Sequence, residues 1–567
     1  MIKYHCGVLA AVCAAVFSSF AGTSADIQAL IDAADPGATV TIPSGTYLLE
    51  TPVLVNKAIT LAGDSADRTL VILDGQAAVN CVELSEGATL RDLTVQNGAG
   101  GKTVGSVICG AGVYAIGATI DNCIIRGCAL DNEDTKFVTR GAGVYLNGGM
   151  VQGCLFTGNV NTGCGSSPGN TFDSQGLAGG GIYAVGAATV QDCRFTDNRL
   201  VNNKKGSRAD NGSGAAACIG GASALIDNCL FKSNSSSNGG GAVCAGNGAM
   251  VRNSTFDGNT FGAEKYAYGG QVAAFGSKVI GCVFTNIDTS TIQDDNGYGS
   301  IVLAVGGAEV TSCLFENNTY YRGGAIGCPS GQFTASNCVF KANRSTDRGG
   351  VISLYSGSAT VVDSWFVEND AGSYGSVVFA RTGCAVALRN CWFLRNKKAG
   401  GYAVALYNSS ANSATIENCS FVDNACGVVA DWDNGQSVAK IKVSNTLVFE
   451  TTGNYHPFGA HADFATNGNI TFVASDDMTN LDLSDASGNV DLGETNPKNI
   501  FRDFYSDPAN YALAPVSPAK DAGTAEVPDW VGEGTLDMGT GEYEVKDVAD
   551  YGVKIDRVGA KPRVVNE

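Results

Sequence analysis

The sequence predicts an all-β solenoid in which about thirteen coils, each of three short parallel strands, stack behind a short N-terminal helix. The main observation is a repeat from about residue 107 to residue 426, in which a glycine-rich step leads to a strand ending in Cys-x-Phe-x-x-Asn. Glycine is frequent, with 75 in 567 residues, and charged residues make up only 16 %. An elongated fold explains how so long and apolar a chain can form one domain.

The spacing of the repeat indicates the size of a coil. The marker phenylalanines lie 25 to 39 residues apart, at Phe156, Phe195, Phe231, Phe256, Phe284, Phe315, Phe340, Phe366, Phe393 and Phe421. A minimum of 25 residues accommodates three short strands and their turns. In Cys-x-Phe both side chains project from one face of a strand, so both are predicted to point into the core.

Insertions explain the longer spacings. They fall at about residues 126–140, 160–178, 199–213 and 285–298, between the asparagine of one coil and the glycine step of the next. Insertions that recur at the same position of a repeat all lie on one face of a solenoid, and this face is often the binding face. The sequence therefore predicts a variable side on which a ligand could bind.

The remaining segments suggest how the chain is divided. Residues 1–25 combine a basic start, an apolar run and small residues, which is typical of a secretory signal peptide cleaved after Ala25. Residues 26–106 are expected to hold an N-terminal cap and the first coils, and residues 107–475 the β-helical repeats. Residues 476–567 contain half of the 12 prolines and many acids, and are predicted to form a closing segment.

The N-terminal cap is predicted to be a helix. Asp26 can act as its N-terminal cap, and Ile27, Leu30, Ile31 and Ala34 share one face at helical spacing. A solenoid leaves an open apolar end, and this face is expected to cover it.

Cysteine is the third recurrent residue. The chain has 20 cysteines, and nine of them share one repeat position, where Ser254 and Ser364 substitute: Cys123, Cys154, Cys193, Cys229, Cys282, Cys313, Cys338, Cys391 and Cys419. Side chains stacked in this way point in the same direction, so we expect free, buried cysteines that act as small apolar residues. Zinc is not expected, because cysteine–histidine ligand spacings are absent.

The repeat also resembles a known family. Nine of the ten marker phenylalanines begin Phe-x-x-Asn, and Gly-Gly-Ala-Ile or a variant precedes most of them. Over about residues 107–426 this pair resembles the repeat of the polymorphic outer membrane proteins, within the wider right-handed parallel β-helix (pectin lyase-like) superfamily. The segment 42–47 resembles the usual entry to that superfamily. The resemblance implies a right-handed solenoid with a surface or adhesive role, secreted or on the outer surface of a bacterial cell.

One column of residues is the candidate binding face. The residue just before the glycine step is an arginine or a tyrosine in six coils: Arg140, Tyr268, Tyr298, Arg322, Arg348 and Tyr374. Stacked aromatic rings and guanidinium groups suit sugar rings and the carboxylates or sulfates of an acidic glycan. The alternative is a packing ladder of long side chains that covers a turn.

The net charge and the number of histidines limit the functions that the sequence can support. A formal net charge of −19 argues against nucleic-acid binding, which needs an excess of clustered lysine and arginine. Only three histidines occur, and there is no Gly-His-Gly step of the polygalacturonase-like hydrolases of this superfamily. No cofactor or metal is predicted. Asp294, Asp295 and Asp347 are carboxylates that could take calcium, but they form no spaced calcium motif.

The prediction is therefore a secreted or surface β-helix that acts as a monomeric binding or adhesive module, with a polysaccharide or surface glycan as its partner. A polysaccharide lyase or glycoside hydrolase is the alternative, because β-elimination needs one base and a neutralised carboxylate, and Arg322 or Arg348 with a tyrosine could supply them. A structural surface spacer is the third possibility. The fold alone does not decide between them.

Overall fold

The computed structural model describes residues 20–132, 137–163, 177–202, 212–237, 240–261, 270–291, 300–372, 375–398, 401–407, 411–432, 440–449, 470–475 and 489–492. Over these ranges the chain is nearly all β, a parallel β-solenoid of about 13 turns with one short helix, as the repeat predicts. No helix among the described residues has the length and apolar character needed to cross a membrane.

Each coil contributes three strands, and each strand pairs in parallel with its equivalent in the next coil. The first column of strands follows the glycine step: Val53–Val55, Val82–Leu84, Val113–Asp121, Val144–Gln152, Ile182–Gln191, Ala217–Gly220, Val243–Gly246, Val272–Phe275, Val302–Val305, Ile326–Cys328, Ile352–Leu354, Val378–Ala380, Tyr402–Tyr407 and Gly427–Trp432.

The second column precedes the repeat position that most coils fill with cysteine. In three coils a single long strand of the first column continues into it. Its other strands are Thr39–Ile42, Thr60–Gly63, Thr89–Arg91, Leu225–Asp227, Met250–Arg252, Lys278–Ile280, Ala308–Thr311, Gly331–Ser336, Gly357–Val362, Ala385–Arg389, Ser413–Glu417 and Lys440–Phe449, the last of which runs on into the third column.

The third column carries the marker phenylalanines. Its strands are Phe20–Thr23, Gly45–Leu48, Val71–Asp74, Thr94–Gln96, Ile124–Arg126, Leu155–Thr157, Arg194–Thr196, Leu230–Lys232, Thr255–Asp257, Val283–Thr285, Leu314–Glu316, Val339–Lys341, Trp365–Val367, Trp392–Leu394, Ser420–Val422, Ile470–Ser475 and Val490–Asp491.

The turns on either side of the third column use left-handed backbone. One such residue precedes each cysteine position, as Ser312 does at φ 53°, and another precedes each ladder asparagine, as Asn317 does at φ 55°. Asparagine, aspartate and glycine tolerate this conformation best, which explains why they fill most of these positions. Gly281, at φ 61°, takes the place in the coil before Ser312.

The interior of the solenoid is a set of ladders along its axis. The ten marker phenylalanines are fully buried, and consecutive rings stack with centroids 4.2–5.0 Å apart. The cysteines at the repeat position are buried beside them and unpaired, which confirms the prediction. All 17 cysteines found free in the described part of the chain are buried.

The Phe-x-x-Asn asparagines form a buried hydrogen-bonded ladder. The Asn343 Nδ2 donates to the carbonyl oxygen of Phe315 at 2.9 Å and to the Asn369 Oδ1 at 3.0 Å. The ladder is interrupted where Ile287 replaces asparagine. There the Gln271 side chain exchanges two hydrogen bonds of 2.8 Å with Asn259, so the buried amide remains satisfied.

The N-terminal helix corrects two details of the prediction. It spans Ser24–Ala33, so its N-terminal cap is Thr23, and Asp26 is the third helical residue. The backbone N–H of Thr23 donates to the Asp26 Oδ2 at 2.7 Å, an arrangement known as a capping box. Ile27 and Ile31 are fully buried as predicted. Leu30 was predicted to share their face but is 48 % exposed. The helix begins two residues before the predicted cleavage point.

The predicted insertions leave the solenoid on one side. Their outgoing strands stack in one side sheet: Ala129–Asn132, Val160–Gly163, Arg199–Asn202, Ser235–Ser236 and Thr260–Phe261. Their returning strands stack in a second side sheet, with Lys102–Val104, Val107–Cys109, Val138–Arg140, Leu177–Ala178 and Gly212–Ser213. A third side sheet contains Asp288–Thr289, Thr319–Tyr320, Arg344–Ser345, Asp370–Ala371 and Lys397–Lys398.

Candidate functional site

Three of the six residues predicted to form the binding face can be located. Arg322 and Arg348 lie one coil apart near the carboxyl end of the solenoid, whereas Arg140 lies on a returning strand near the amino end. Tyr268, Tyr298 and Tyr374 lie outside the described residues. The residues that can be located therefore belong to two separate clusters rather than one ribbon.

Arg322 is held by an acid of the next coil. Its Nε lies 2.5 Å from the Asp347 Oδ2, and both side chains are largely shielded from solvent, at 21 % and 25 % exposure. The guanidinium group also lies over the ring of Tyr321, with 4.9 Å from Cζ to the ring centroid. Asp347, considered above as a calcium ligand, thus serves as the counterion of Arg322.

Arg348 reaches across the first column to an aromatic pair. Its guanidinium carbon lies 5.8 Å from the centroid of the Tyr407 ring. Tyr407 in turn contacts Phe379 of the preceding coil, with ring centroids 5.8 Å apart and planes tilted by 36°. Arg348 therefore links the start of one first-column strand to the end of the strand two coils later.

Three further residues of this surface were not among the predicted ones. Arg381 lies over the ring of Tyr355, with 4.8 Å from its guanidinium carbon to the ring centroid. Tyr355, Arg381 and Tyr407 lie at the ends of three successive first-column strands. The sequence did carry a signal, because these three residues are spaced 26 apart and lie six residues after Gly349, Gly375 and Gly401 of their glycine steps.

Together these residues form what we call the arginine–tyrosine face: Tyr321, Arg322, Asp347, Arg348, Tyr355, Phe379, Arg381 and Tyr407. Each of its three arginines is packed on a tyrosine ring, and Phe379 is the most buried of the aromatic side chains. Three guanidinium groups and one carboxylate give the face a local charge of about +2, in a protein whose net charge is −19.

Arg140 belongs to the second cluster. Its guanidinium carbon lies 4.7 Å from the centroid of the Tyr183 ring, and the rings of Tyr114, Tyr145 and Tyr183 are stacked along the first column. Burial raises the pKa of the Tyr145 hydroxyl, and it raises that of Tyr114 as well. Both phenols therefore keep their protons, and can donate hydrogen bonds, well above neutral pH.

Within the ranges given above, the structure has no group of three or more histidine, cysteine, aspartate or glutamate side chains that could hold a metal ion. Of the three aspartates considered for calcium, Asp294 and Asp295 lie outside those ranges.

Comparison with known proteins supports the fold. The family model described as a right-handed beta helix region matches residues 279–448. Together with the parallel solenoid, this match supports a place in the right-handed β-helix superfamily. No curated protein matches the sequence.

Several solved structures are similar to this chain at low sequence identity and low TM-score. A PL6 alginate lyase in complex with a trisaccharide is 12 % identical over 70 % of this chain and 82 % of that chain, with a TM-score of 0.33. PfbA, a surface adhesin of Streptococcus pneumoniae, is 11 % identical over 61 % and 87 %, with a TM-score of 0.24. The tailspike protein gp49 of Acinetobacter baumannii bacteriophage Fri1, a capsular polysaccharide depolymerase, is 14 % identical over 59 % and 61 %, with a TM-score of 0.28. These similarities concern the fold alone.

Proposed function

We propose that the protein is a binding module for acidic glycans and that the arginine–tyrosine face is its binding surface. The observation that supports this most is the set of three arginine–tyrosine contacts over neighbouring coils, with guanidinium carbons 4.8–5.8 Å from ring centroids. A guanidinium group packed on a ring keeps its planar edge for hydrogen bonds, and that edge matches a carboxylate or a sulfate.

The balance of charge favours an anionic ligand. Asp347 is the single carboxylate of the face and stands against three arginines, so the face as a whole carries an excess of positive charge. The half-buried rings of Tyr355 and Tyr407 add apolar surface against which the carbon-bound faces of sugar rings can pack. Charge and aromatic surface together fit a glycan that carries uronic acids or sulfates better than a neutral one.

The same proposal includes the cellular location and the oligomeric state of the protein. A glycan-binding solenoid of this kind would act as a secreted or surface-attached monomer, and its repeat would be of the polymorphic outer membrane protein type. Binding is proposed ahead of cleavage because Arg322, one of the two arginines considered for a lyase, is paired with Asp347 at 2.5 Å. A neutralised arginine is a poorer partner for the substrate carboxylate.

Arg381→Ala tests the proposal. Losing a charge-assisted hydrogen bond costs about 1.5–3 kcal/mol, so we expect affinity for polygalacturonate to fall roughly tenfold to a hundredfold. Calorimetric titration of the full chain would measure the change. Arg389→Ala is the matched control, since Arg389 lies in the same coil but on the second column, where it pairs with Glu417 at 3.0 Å.

Two results would count against the proposal. If Arg381→Ala and Arg389→Ala bound polygalacturonate equally well, the arginine–tyrosine face would not be the binding surface. If the wild-type protein released unsaturated sugars, detected by their ultraviolet absorbance, and Arg348→Ala abolished this release, the protein would be a lyase rather than a pure binding module.

A further inference from the structure

The second cluster is built like a site of its own. The rings of Tyr114 and Tyr145 stack with centroids 5.4 Å apart, and those of Tyr145 and Tyr183 with centroids 5.7 Å apart. Their planes differ by only 8° and 13°. The three tyrosines project outward from the first column, so they form a floor on the outer surface of three successive coils.

The second side sheet, which contains Lys102–Val104 and Val138–Arg140, lies beside these tyrosines. Lys102, on the first strand of that side sheet, lies 5.1 Å from the Tyr114 ring centroid and forms an ion pair with Glu83. Arg140, on a later strand, covers the Tyr183 ring at 4.7 Å. A cation lies over each end of the stack, and the rings of Tyr114 and Tyr145 are half-buried.

The Arg140 side chain has an unsatisfied hydrogen-bond donor in this arrangement. Its Nε is buried and makes no hydrogen bond to any described residue. A buried donor without a partner is costly, and in a native structure it commonly marks the place of a ligand, an ion or an ordered water. The neighbouring hydroxyls, half-buried and protonated, are additional hydrogen-bond donors.

We propose that this tyrosine cleft, formed by Lys102, Tyr114, Arg140, Tyr145 and Tyr183, is a second site for a sugar that carries a carboxylate. Arg140 pairs with the carboxylate, and the hydroxyls of Tyr114 and Tyr145 bond to the hydroxyls of the sugar. The ligand class rests on the proposed function, whereas the existence of the site rests on the geometry of the cleft.

The two sites lie in line but are separate. Tyr183 and Phe379 occupy the same outward position of the first column, seven coil steps apart. At about 4.8 Å per step this separation is about 34 Å. The six positions between them, from Cys218 to Ser353, are all buried, so no open surface of this column joins the sites. A long acidic chain can be held at both, which increases its apparent affinity.

A trisaccharide of galacturonic acid tests the second site, because it is too short to contact both clusters. We expect calorimetry to show two trisaccharides bound per wild-type chain and one per Arg140→Gln chain. Tyr145→Phe keeps the ring stack and removes one hydroxyl, so it should weaken the second site several-fold without changing the melting temperature. Arg126→Ala is the matched control, since the Arg126 side chain donates to the Gln96 Oε1 on the third column and its loss should leave both sites intact.

The outcomes separate this inference from the proposed function. If Arg140→Gln and Tyr145→Phe leave stoichiometry and affinity unchanged, the cleft is not a site, whatever the arginine–tyrosine face does. If Arg381→Ala has no effect but Arg140→Gln abolishes binding, the cleft stands and the proposed face fails. Binding of neutral trisaccharides with equal affinity at the cleft would overturn the role given to Arg140.

Discussion

At the scale of single residues, stability comes from buried polar groups that are satisfied by the neighbouring coil. Most ladder asparagines, such as Asn343, bond forward to the next asparagine and backward to a phenylalanine carbonyl. A polar group in so dry an interior is stable only when its partners are all present. The ladder therefore fixes the register between coils, in addition to contributing to their stability.

Replacing one ladder asparagine should be costly. Asn343→Ala would leave the backbone N–H and the side-chain amide of Asn318 without their shared acceptor, which lies 3.2 and 2.9 Å away. We expect a loss of about 2–4 kcal/mol in the free energy of unfolding, measured by urea denaturation. Lys341→Ala is the control, since its exposed ion pair with Glu316 should contribute less than about 1 kcal/mol. Equal effects of the two changes would show that the ladder has no special role.

The cysteine position predicts how stability depends on pH. Burial raises the pKa of the Cys338 thiol well above its usual value, so the native state keeps this proton while the unfolded chain loses it. Stability from this thiol is complete below the unfolded pKa, near 8.5, and is lost as pH rises toward the native pKa, at about 1.4 kcal/mol per pH unit.

Cys338→Ser tests this dependence. Ser364 already fills the equivalent position one coil later, where its hydroxyl donates to the Val362 carbonyl at 2.8 Å, so serine should fit at residue 338. We expect the variant to fold and to lose stability less steeply than the wild type above about pH 8.5. The free energy of unfolding of both proteins would be measured by urea denaturation at neutral and at alkaline pH. If it fell by the same amount in the variant and in the wild type, the account would be contradicted.

At the scale of elements, the left-handed turn residues decide where each strand ends. Ser312 adopts φ 53° between the second and third strands of its coil, where most coils have asparagine, aspartate or glycine. Ser312→Val should cost about 1–2 kcal/mol, because a β-branched side chain clashes in this conformation, whereas Ser312→Asn should cost nothing. Thermal unfolding of the two variants measures the difference, and equal melting temperatures would be the contrary result.

Much of this element structure could be predicted from the sequence, because each coil repeats the same residues in register. The third strands, the inward-pointing phenylalanines and cysteines and the position of the insertions were all predicted. The helix start was not, because Thr23 lies in a segment that looks like a leader. Arg381 and its tyrosines were missed because their spacing recurs only three times. The pairing of Arg322 with Asp347 depends on how two coils pack, which no single repeat encodes.

At the scale of the whole molecule, the account rests on a positive face in an acidic protein. The chain as a whole, at −19, repels polyanions, so any acidic glycan that binds must be held by local groups such as Arg348 and Arg381. Attraction of this kind is weakened by salt. A neutral glycan would be neither repelled by the protein nor held by these arginines.

The most direct measurement compares two ligands that differ only in charge: polygalacturonate and its fully methyl-esterified form. We predict that the full chain binds the acid form, that binding weakens as salt is added, and that the neutral ester binds at least tenfold more weakly, corresponding to about 1.4 kcal/mol. Equal affinity for the two forms, or binding of the acid form that salt does not change, would contradict the central claim.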